Sequence, residues 1–139
     1  MTTKIEGRAR ELLQRPDVFG TLATLASDGT PHQAVVWYLV RSDTIVINSA
    51  AGRTWPANLL RDPRCRQLVV QGYEWVSLTG LVEVVTEQAT AQADIAAMAR
   101  RYHARDPERA ERLIRDLFEP QERISFVLYP LRIVERPDH

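Results

Sequence analysis

The most informative stretch of the sequence spans residues 48–65 and reads NSAAGRTWPANLLRDPRC. A strand ends here in a turn of small residues, which allow the backbone to approach a ligand closely. Arg53 follows the turn and offers a planar fork of hydrogen-bond donors, and a short helix begins soon after it. Because the first N–H groups of a helix have no partner within the helix, they attract anions. The stretch therefore predicts a local phosphate-binding turn.

The length and charge of the chain limit the kind of protein in which such a site could lie. The 139 residues are enough for one domain with one core, so residues 1–139 are interpreted as a single domain. Lys and Arg total 18, as do Asp and Glu, so the chain has no net charge to attract nucleic acid, an acidic partner or an anionic membrane. Any anion site must therefore be local.

Cysteine and histidine usage argues against several other kinds of site. Cys65 is the only cysteine, so it is interpreted as a small buried hydrophobe in a reducing, cytoplasmic protein without an internal disulfide. The spacing of His32, His103 and His139 does not predict a shared coordination shell, so no metal ion is expected. The sequence has no signal-peptide pattern and no apolar run of about 20 residues, so we expect a soluble, unexported protein.

The residues before the phosphate-binding turn predict one helix and then a β-meander. Ile5, Ala9, Leu12 and Leu13 lie on one stripe at helical spacing, and Pro16 ends this helix. Three strands are then predicted, the first two joined by a tight Asp-Gly turn, over 19–25, 32–40 and 44–48. Neighbouring strands of a meander are antiparallel.

The residues after the turn predict a mixed fold. The short helix over 56–61 ends at the Asp62-Pro63 pair, because the residue before a proline avoids the helical conformation. Two strands, a helical stretch and one or two final strands follow, over 64–70, 73–87, 88–118, 124–129 and 131–135. Gly80 marks a bulge or bend that helps to close a barrel, and an interruption at residues 106–107 divides the helical stretch into two helices. The chain is therefore predicted to be an α+β protein with an antiparallel core, and it lacks the GxGxxG, GxxxxGK[ST] and GxSxG motifs of other common enzyme folds.

Three segments of the chain carry a family resemblance: GTLATLASDGTPHQAVVWY (20–38), INSAAGRTWPANLLRDPRC (47–65) and YEWVSLTGLVEVV (73–85). In order and spacing they resemble the split β-barrel flavin-binding superfamily that includes pyridoxamine 5'-phosphate oxidase, and especially its branch that uses the deazaflavin coenzyme F420. The resemblance implies an FMN-binding split barrel with flanking helices, which forms a homodimer.

The resemblance also implies where a cofactor would bind. Each of two cofactors would lie in a cleft between the subunits, with its phosphate at the turn after the third strand. Arg53 would pair with that phosphate beside Thr54, Val35 and its neighbours would run along the ring, and Tyr73 and Trp75 would approach from the second subunit. The implied cofactor-binding residues are Gln33, Val35, Val36, Trp37, Asn48, Ser49, Ala50, Arg53, Thr54, Trp55, Pro56, Asn58, Tyr73 and Trp75.

One position departs from the family's pattern. The family often carries a lysine three positions before the asparagine of its NL pair, and counted back from Asn58 this position is Trp55. A positive charge is therefore missing near the phosphate, and Trp55 would instead stack on a ring or line the entrance. The plain alternative is that Arg53 is a solvated surface residue and that Trp37, Trp55 and Trp75 are core or interface anchors.

The implied chemistry is hydride transfer, which belongs mainly to the cofactor. Reduced F420 would deliver a hydride to an electron-poor carbon of an unsaturated or conjugated small molecule. No catalytic side chain is assigned, and Tyr73, His32 and Tyr38 are candidate proton donors. Two alternatives stay open: an FMN-dependent oxidase or flavin reductase of the same fold, and a non-catalytic protein that binds a cofactor, haem or tetrapyrrole. Pyridoxamine phosphate oxidase itself is not expected, because the sequence ends in VERPDH without that enzyme's arginine-containing segment.

Overall fold

The computed structural model describes residues 2–136, and His139 lies outside this range. Within it the chain forms a seven-stranded sheet and four helices, the last of which continues as a π-helical segment. The helices are α1 (Gly7–Leu13), α2 (Thr54–Arg61), α3 (Gln88–Tyr102), α4 (Pro107–Leu113) and the π-helical segment Ile114–Phe118. The strands are β1 (Gly20–Leu25), β2 (Pro31–Val36), β3 (Leu39–Arg41), β4 (Thr44–Ala50), β5 (Arg64–Gln71), β6 (Glu74–Val85) and β7 (Arg123–Glu135).

The order of these elements confirms the predicted α+β fold with an antiparallel core. The sheet order is β2-β1-β5-β6-β7-β4-β3, and each neighbouring pair is antiparallel. α1 ends before Pro16, and the helical stretch is interrupted before Pro107, as expected. α2 begins two residues earlier than predicted, because Pro56 is tolerated in the first turn of a helix. No helix within residues 2–136 is long and apolar enough to span a bilayer.

The two edges of the sheet come together and close it into a barrel. β2 and β3 lie at opposite edges of the sheet, yet only Trp37 and Tyr38 separate them along the chain. Three Cα–Cα steps span at most about 11 Å, so the sheet must curl until its edges lie side by side. In the described residues the two edge strands do not pair with each other, so the barrel is split along this junction, which we call the seam.

The seam corrects the prediction of one continuous strand over 32–40. The strand breaks at Trp37, because the chain leaves its pairing with β1 and crosses to β4. Side chains of α3 take the place of a partner strand there. Arg101 donates to the Tyr38 carbonyl oxygen, and the Tyr38 N–H donates to the Tyr102 hydroxyl at 3.4 Å. The buried backbone at the break is thus satisfied without a ladder.

Gly80 marks a bulge between β6 and β7, as predicted. Gly80 pairs with Pro130, and the register shifts there so that Leu131 is the extra residue. A Cβ at Gly80 would overlap the carbonyl oxygen of Tyr129, so the two backbones approach closely. Pro130 has no N–H to donate, which a bulge tolerates. β7 therefore runs through Pro130 as one strand and not as two.

The hydrophobic core has two parts. The larger part fills the barrel, where Leu22, Ile47 and Phe126 are fully buried. The second part lies outside the barrel, where Met98 and its neighbours on α3 and α4 pack around Val46 of β4. This packing fixes the helical stretch against β4, next to the seam.

Cys65 belongs to the barrel core, which confirms its interpretation as a small buried hydrophobe. Burial raises the pKa of its thiol to about 12, so roughly one thiol in ten thousand is ionised at pH 8. We therefore expect the native protein to react with Ellman's reagent at pH 8 only as fast as it unfolds. The rate in guanidinium chloride supplies the reference for a free thiol, and an equally fast reaction of the native protein would contradict this burial.

Candidate functional site

A cleft of about 300 Å³ opens beside the seam. The end of β2, the end of β4 and the first turn of α2 form one side, and α3, the π-helical segment and the start of β7 form the other. The side chains that line it are Val35, Val36, Trp37, Asn48, Ser49, Arg53, Trp55, Ile95, Leu117, Phe118, Gln121 and Arg123. The predicted phosphate-binding turn thus borders a concave site, whose opposite wall is the helical stretch.

The turn between β4 and α2 presents Arg53 to the cleft. Gly52 adopts a φ of 88°, a conformation that glycine reaches without strain. Arg53 is exposed and directly precedes α2, and its guanidinium forms no hydrogen bond or ion pair with the residues that the structure describes. No side chain caps the first N–H groups of α2. A cation and a positive helix end are therefore both available to an anion.

Arg123 is a second cation in the cleft, with only 6% of its surface exposed. Its Nε donates to Asn48 Oδ1 at 3.0 Å, and a terminal nitrogen donates to Gln121 Oε1. Its guanidinium lies 4.9 Å from the centroid of the Phe118 ring, and no carboxylate in the described part of the chain pairs with it. Burial, and then the charge of Arg53, lower the pKa of Arg123 to about 10. The cleft therefore holds two cations that no carboxylate among residues 2–136 neutralises.

A chain of hydrogen bonds holds Asn48 in place. Its Nδ2 donates to a carbonyl oxygen of α3 at 2.9 Å and to Ser125 Oγ at 2.8 Å. Ser125 Oγ in turn donates to Asp94 Oδ2 at 2.8 Å, and Arg41 pairs with Asp94 at 3.0 Å. Because both amide hydrogens of Asn48 are engaged, its Oδ1 is left to accept from Arg123. α3 thus fixes the direction of the buried guanidinium.

Aromatic rings form the apolar wall of the cleft. Trp37 stacks on Tyr102, with ring centroids 5.3 Å apart and 9° between their planes, and it meets Phe118 edge-on at 6.3 Å. Trp55 is only 9% exposed and packs against Phe126 with a centroid distance of 5.6 Å. The helical stretch therefore holds Trp37 in position, while Trp55 lines the cleft from the barrel core.

The structure brings half of the predicted cofactor-binding residues to this cleft. They are Val35, Val36, Trp37, Asn48, Ser49, Arg53 and Trp55. Ala50 ends β4 and Thr54 begins α2, so both flank the turn. Pro56 and Asn58 are buried, and the Asn58 amide donates to Thr24 Oγ1 at 3.1 Å. These two residues hold α2 against the barrel and do not line the cleft.

The other three predicted residues lie elsewhere on this subunit. Gln33 and Trp75 line a larger depression of about 590 Å³ on the outward face of the sheet, which we call the sheet cavity. Tyr73 is 85% exposed at the β5–β6 hairpin, where the Arg136 guanidinium lies 5.5 Å from its ring centroid. Their contact with a cofactor through a second subunit stays a prediction.

The candidate proton donors do not converge on the cleft. The Tyr38 hydroxyl is fully buried and donates to the Leu13 carbonyl oxygen at 2.7 Å, and burial raises the pKa of Tyr38 to about 12. The suggestion that Tyr38 donates a proton is therefore wrong. His32 and Tyr73 line neither the cleft nor the sheet cavity.

Arg123 and its surroundings were not predicted from the sequence. Ile95, Leu117, Phe118 and Gln121 also line the cleft, and all five residues lie beyond the segments that carry the family resemblance. The sequence did contain one indication of a functional role for Arg123. Arg123 opens the run RISFVL, and a charge at the start of a strongly apolar strand indicates either a strand end or a functional buried cation.

Residues 5–129 match the family model of pyridoxamine 5'-phosphate oxidase. The matched region includes every residue that lines the cleft. No protein of curated function matches the chain by sequence.

Solved structures share the fold of this chain. A conserved hypothetical protein from Mycobacterium tuberculosis is 23% identical with a TM-score of 0.76, over 98% of this chain and 92% of that one. An F420 reductase is 22% identical with a TM-score of 0.73, over 94% of this chain and 98% of that one. A heme-binding protein from Mycobacterium smegmatis is 24% identical with a TM-score of 0.68, over 91% of this chain and 51% of that one. At these identities the likeness shows the fold alone, and it confirms the predicted split barrel.

Proposed function

The chain belongs to the pyridoxamine 5'-phosphate oxidase family, and on this basis we propose that it is a coenzyme F420-dependent oxidoreductase that reduces an unsaturated or conjugated small molecule. One observation carries the proposal. Arg53 and Arg123 line the same cleft, and no carboxylate of the described residues neutralises them. A buried cation without a counter-ion is unfavourable on its own, so the arrangement indicates an anionic ligand.

A phosphate group fits this pair of arginines. Guanidinium groups bind phosphate oxygens through charge-assisted hydrogen bonds, and the first turn of α2 adds free N–H groups. Arg123 also supplies the positive charge that is absent at Trp55. The departure from the family's pattern therefore does not remove the phosphate site, because the second cation comes from β7 instead of α2.

The apolar part of the cleft fits a ring system. Val35 and Trp37 extend along the end of β2, and Tyr102 holds the Trp37 ring in position. A bound deazaflavin supplies the hydride. The residues of this chain orient the cofactor through its phosphate and exclude water from one face of its ring. The likeness to an F420 reductase over nearly the whole of both chains supports this choice of cofactor.

We extend the proposal to a homodimer in which each cofactor lies between two copies of the chain. The outward face of the sheet supports this arrangement, since it exposes Leu68, Val70 and Val134 around Trp75. Contiguous exposed apolar side chains with an aromatic anchor are typical of a subunit interface. Trp75 and the exposed Tyr73 of one copy would then reach the ring bound to the other.

FMN is a second candidate cofactor, because its phosphate also matches the two cations of the cleft. FMN carries a phosphate monoester with about two negative charges at neutral pH, whereas F420 carries a phosphodiester with about one. Two uncompensated guanidinium groups match the monoester in charge. Haem receives less support, because the described lining of the cleft contains no histidine, cysteine or methionine to ligate its iron.

Separate titrations of the purified protein with F420 and with FMN test the proposal. Binding is followed by quenching of tryptophan fluorescence, because Trp37 and Trp55 line the cleft. We expect a micromolar or tighter Kd for F420, which weakens about three- to tenfold in Arg53→Ala because an exposed charge is screened by solvent. The control is Arg64→Ala, whose exposed arginine pairs with Asp62 and lines no part of the cleft.

The possible outcomes separate the candidates. Tighter binding of FMN would assign the protein to the flavin branch, and binding of neither compound would contradict the cofactor site. If F420 binds, oxidation of reduced F420 by α,β-unsaturated ketones tests the catalytic step. Binding without turnover on any electron acceptor would support a non-catalytic role.

A further inference from the structure

A buried carboxylate lies on the face of α3 that packs against the sheet. Asp94 is only 4% exposed. Its Oδ2 accepts a hydrogen bond from Ser125 Oγ at 2.8 Å, and its Oδ1 accepts one at 3.0 Å from Arg41, whose side chain is half-exposed. The buried face of a helix is normally apolar, and the neighbouring buried positions Ile95 and Met98 follow this rule. Asp94 is therefore an exception on this face.

The stability of the fold does not explain this exception. Burying a carboxylate costs free energy, which an ion pair with a half-exposed arginine returns only in part. Apolar residues in place of a buried ion pair often stabilise a protein equally well or better. Since Asp94 is linked by hydrogen bonds to the cleft, a role in the cleft is the more economical explanation.

Asp94 determines the direction of the hydrogen bonds that end at Arg123. A carboxylate only accepts hydrogen bonds, so the Ser125 hydroxyl donates to Asp94, and its oxygen is left to accept from Asn48 Nδ2 at 2.8 Å. Asn48 then directs its Oδ1 at Arg123, whose Nε donates to it at 3.0 Å. If the Asn48 amide turned over, two donors would face each other. The acceptor at position 94 therefore orients every group up to the guanidinium.

The same chain of hydrogen bonds keeps the carboxylate away from the guanidinium. The side chains of Ser125 and Asn48 stand between Asp94 and Arg123, and the charge of Asp94 is paired with Arg41. A direct salt bridge between Asp94 and Arg123 would hold the guanidinium equally well, but it would also neutralise it. The arrangement therefore fixes Arg123 and leaves its charge to a ligand in the cleft.

α3 fixes the backbone of Arg123 as well. The Arg123 N–H donates to Gln88 Oε1 at 3.0 Å, and Gln88 Nε2 donates to the Arg123 carbonyl oxygen at 2.8 Å. Gln88 thus holds the backbone of this residue, while Asp94 acts on its side chain. Such fixed geometry lowers the entropy cost of binding a ligand.

We propose that Asp94 is a positioning residue for Arg123, which it orients toward the cleft through Ser125 and Asn48 without neutralising it. Asp94 itself lines no part of the cleft. The effect on F420 affinity rests on the function proposed above. The orientation of the guanidinium does not, because it can be measured without a ligand.

NMR of the cofactor-free protein measures this orientation through the Nε–H resonance of Arg123, which is assigned by its absence in Arg123→Gln. Because this group is buried and bonded to Asn48, we expect it to exchange slowly with water at about pH 6.5. In Asp94→Ala the exchange should be at least about tenfold faster, since the Ser125 hydroxyl loses its acceptor. Ser125→Ala interrupts the same chain of hydrogen bonds with a smaller loss of volume, and it should act in the same direction.

Two further variants separate this effect from a general disturbance of α3. Asp94→Asn keeps an acceptor oxygen for Ser125, because the half-exposed Arg41 can turn toward solvent, and its exchange rate should stay within about twofold of the wild type. The matched control is Glu111→Ala, which removes a carboxylate paired with Arg100 on the exposed side of α3. It should leave the Arg123 resonance unchanged.

The fluorescence titration with F420 tests the consequence for binding. We expect an affinity about fivefold weaker in Asp94→Ala, and within about twofold of the wild type in Asp94→Asn and Glu111→Ala. In an Arg123→Gln background, Asp94→Ala should change the Kd by less than about twofold, because Asp94 acts through Arg123. A merely structural role would weaken binding equally in both backgrounds.

Two results would overturn the proposal: unchanged Nε–H exchange in Asp94→Ala and Ser125→Ala, or an equal loss of F420 affinity with and without Arg123. The two proposals fail separately. If F420 does not bind but exchange is faster in Asp94→Ala and not in Asp94→Asn, the cofactor assignment falls and the positioning role stands. If F420 binds and Asp94→Ala changes neither exchange nor Kd, only the positioning role falls.

Discussion

The Gly80→Ala variant is expected to lose about 3 kcal/mol or more of its free energy of unfolding. Its Cβ would overlap the Tyr129 carbonyl oxygen and would lie 2.9 Å from Leu128 Cδ1. The carbonyl belongs to the backbone of β7, so no change of rotamer can relieve the overlap, and the two strands must separate at the bulge. β6 and β7 form the longest ladder of the described sheet, so the damage reaches the whole barrel. Urea denaturation followed by circular dichroism measures the loss.

Gly29→Ala is the matched control for this prediction. Gly29 has a φ of 85° in the turn between β1 and β2, and a Cβ there would meet no atom within 4 Å. Alanine at this position should cost about 1 kcal/mol, from the strain of a positive φ alone. Equal losses in the two variants would show that the close approach of β6 and β7 is not the reason for glycine at position 80.

Arg123→Gln is expected to weaken F420 binding by about 30-fold or more. Removing one partner of a buried charge pair costs about 2 kcal/mol or more, whereas the exposed Arg53 should account for only about a three- to tenfold change. The family resemblance alone would rank Arg53 first. The fluorescence titration described above measures both variants, and a weaker effect at Arg123 than at Arg53 would contradict the central place of the buried guanidinium.

The same substitution should leave the cofactor-free protein about as stable as the wild type. Arg123 contributes hydrogen bonds to Asn48 and Gln121, but its charge is buried without a carboxylate and lies near the charge of Arg53. Removal of that charge offsets the lost hydrogen bonds. Thermal denaturation without cofactor measures the balance. A fall in Tm of about 10 °C or more would show that Arg123 serves mainly to stabilise the fold.

Local signals predicted much of the barrel. The Asp-Gly turn, Pro16 and the Asp62-Pro63 pair end their elements through backbone chemistry that does not depend on the rest of the fold. Gly80 indicated the bulge in the same way. The break of the strand at the seam could not be predicted. The residues on both sides of Trp37 are apolar and therefore suggest one continuous strand. The hydroxyl that accepts a hydrogen bond from the Tyr38 backbone N–H belongs to Tyr102, which lies 64 residues later in the chain.

Only the side of the cleft that the turn between β4 and α2 forms was predictable from the sequence. The turn that carries Arg53 has all its signals within one short stretch: small residues, a planar cation and a helix start. Arg123 reaches the same cleft through the pairing of β4 with β7, which brings it next to Asn48. No sequence period links the two arginines, so only the tertiary structure shows that they line the same cleft.

The barrel strands and the helical stretch that packs at the seam differ in how well they tolerate substitutions. Each barrel strand is fixed by its neighbours, so most substitutions there disturb the scaffold. The wall of the cleft at the seam is instead formed by side chains of α3 and the π-helical segment, which pack on Trp37 from outside the barrel. New loop lengths or side chains in this helical stretch can reshape the cleft while the barrel stays folded. Substitutions among the side chains of this stretch that line the cleft can therefore change its shape, provided that Arg101 and Tyr102 are kept to satisfy the Tyr38 backbone.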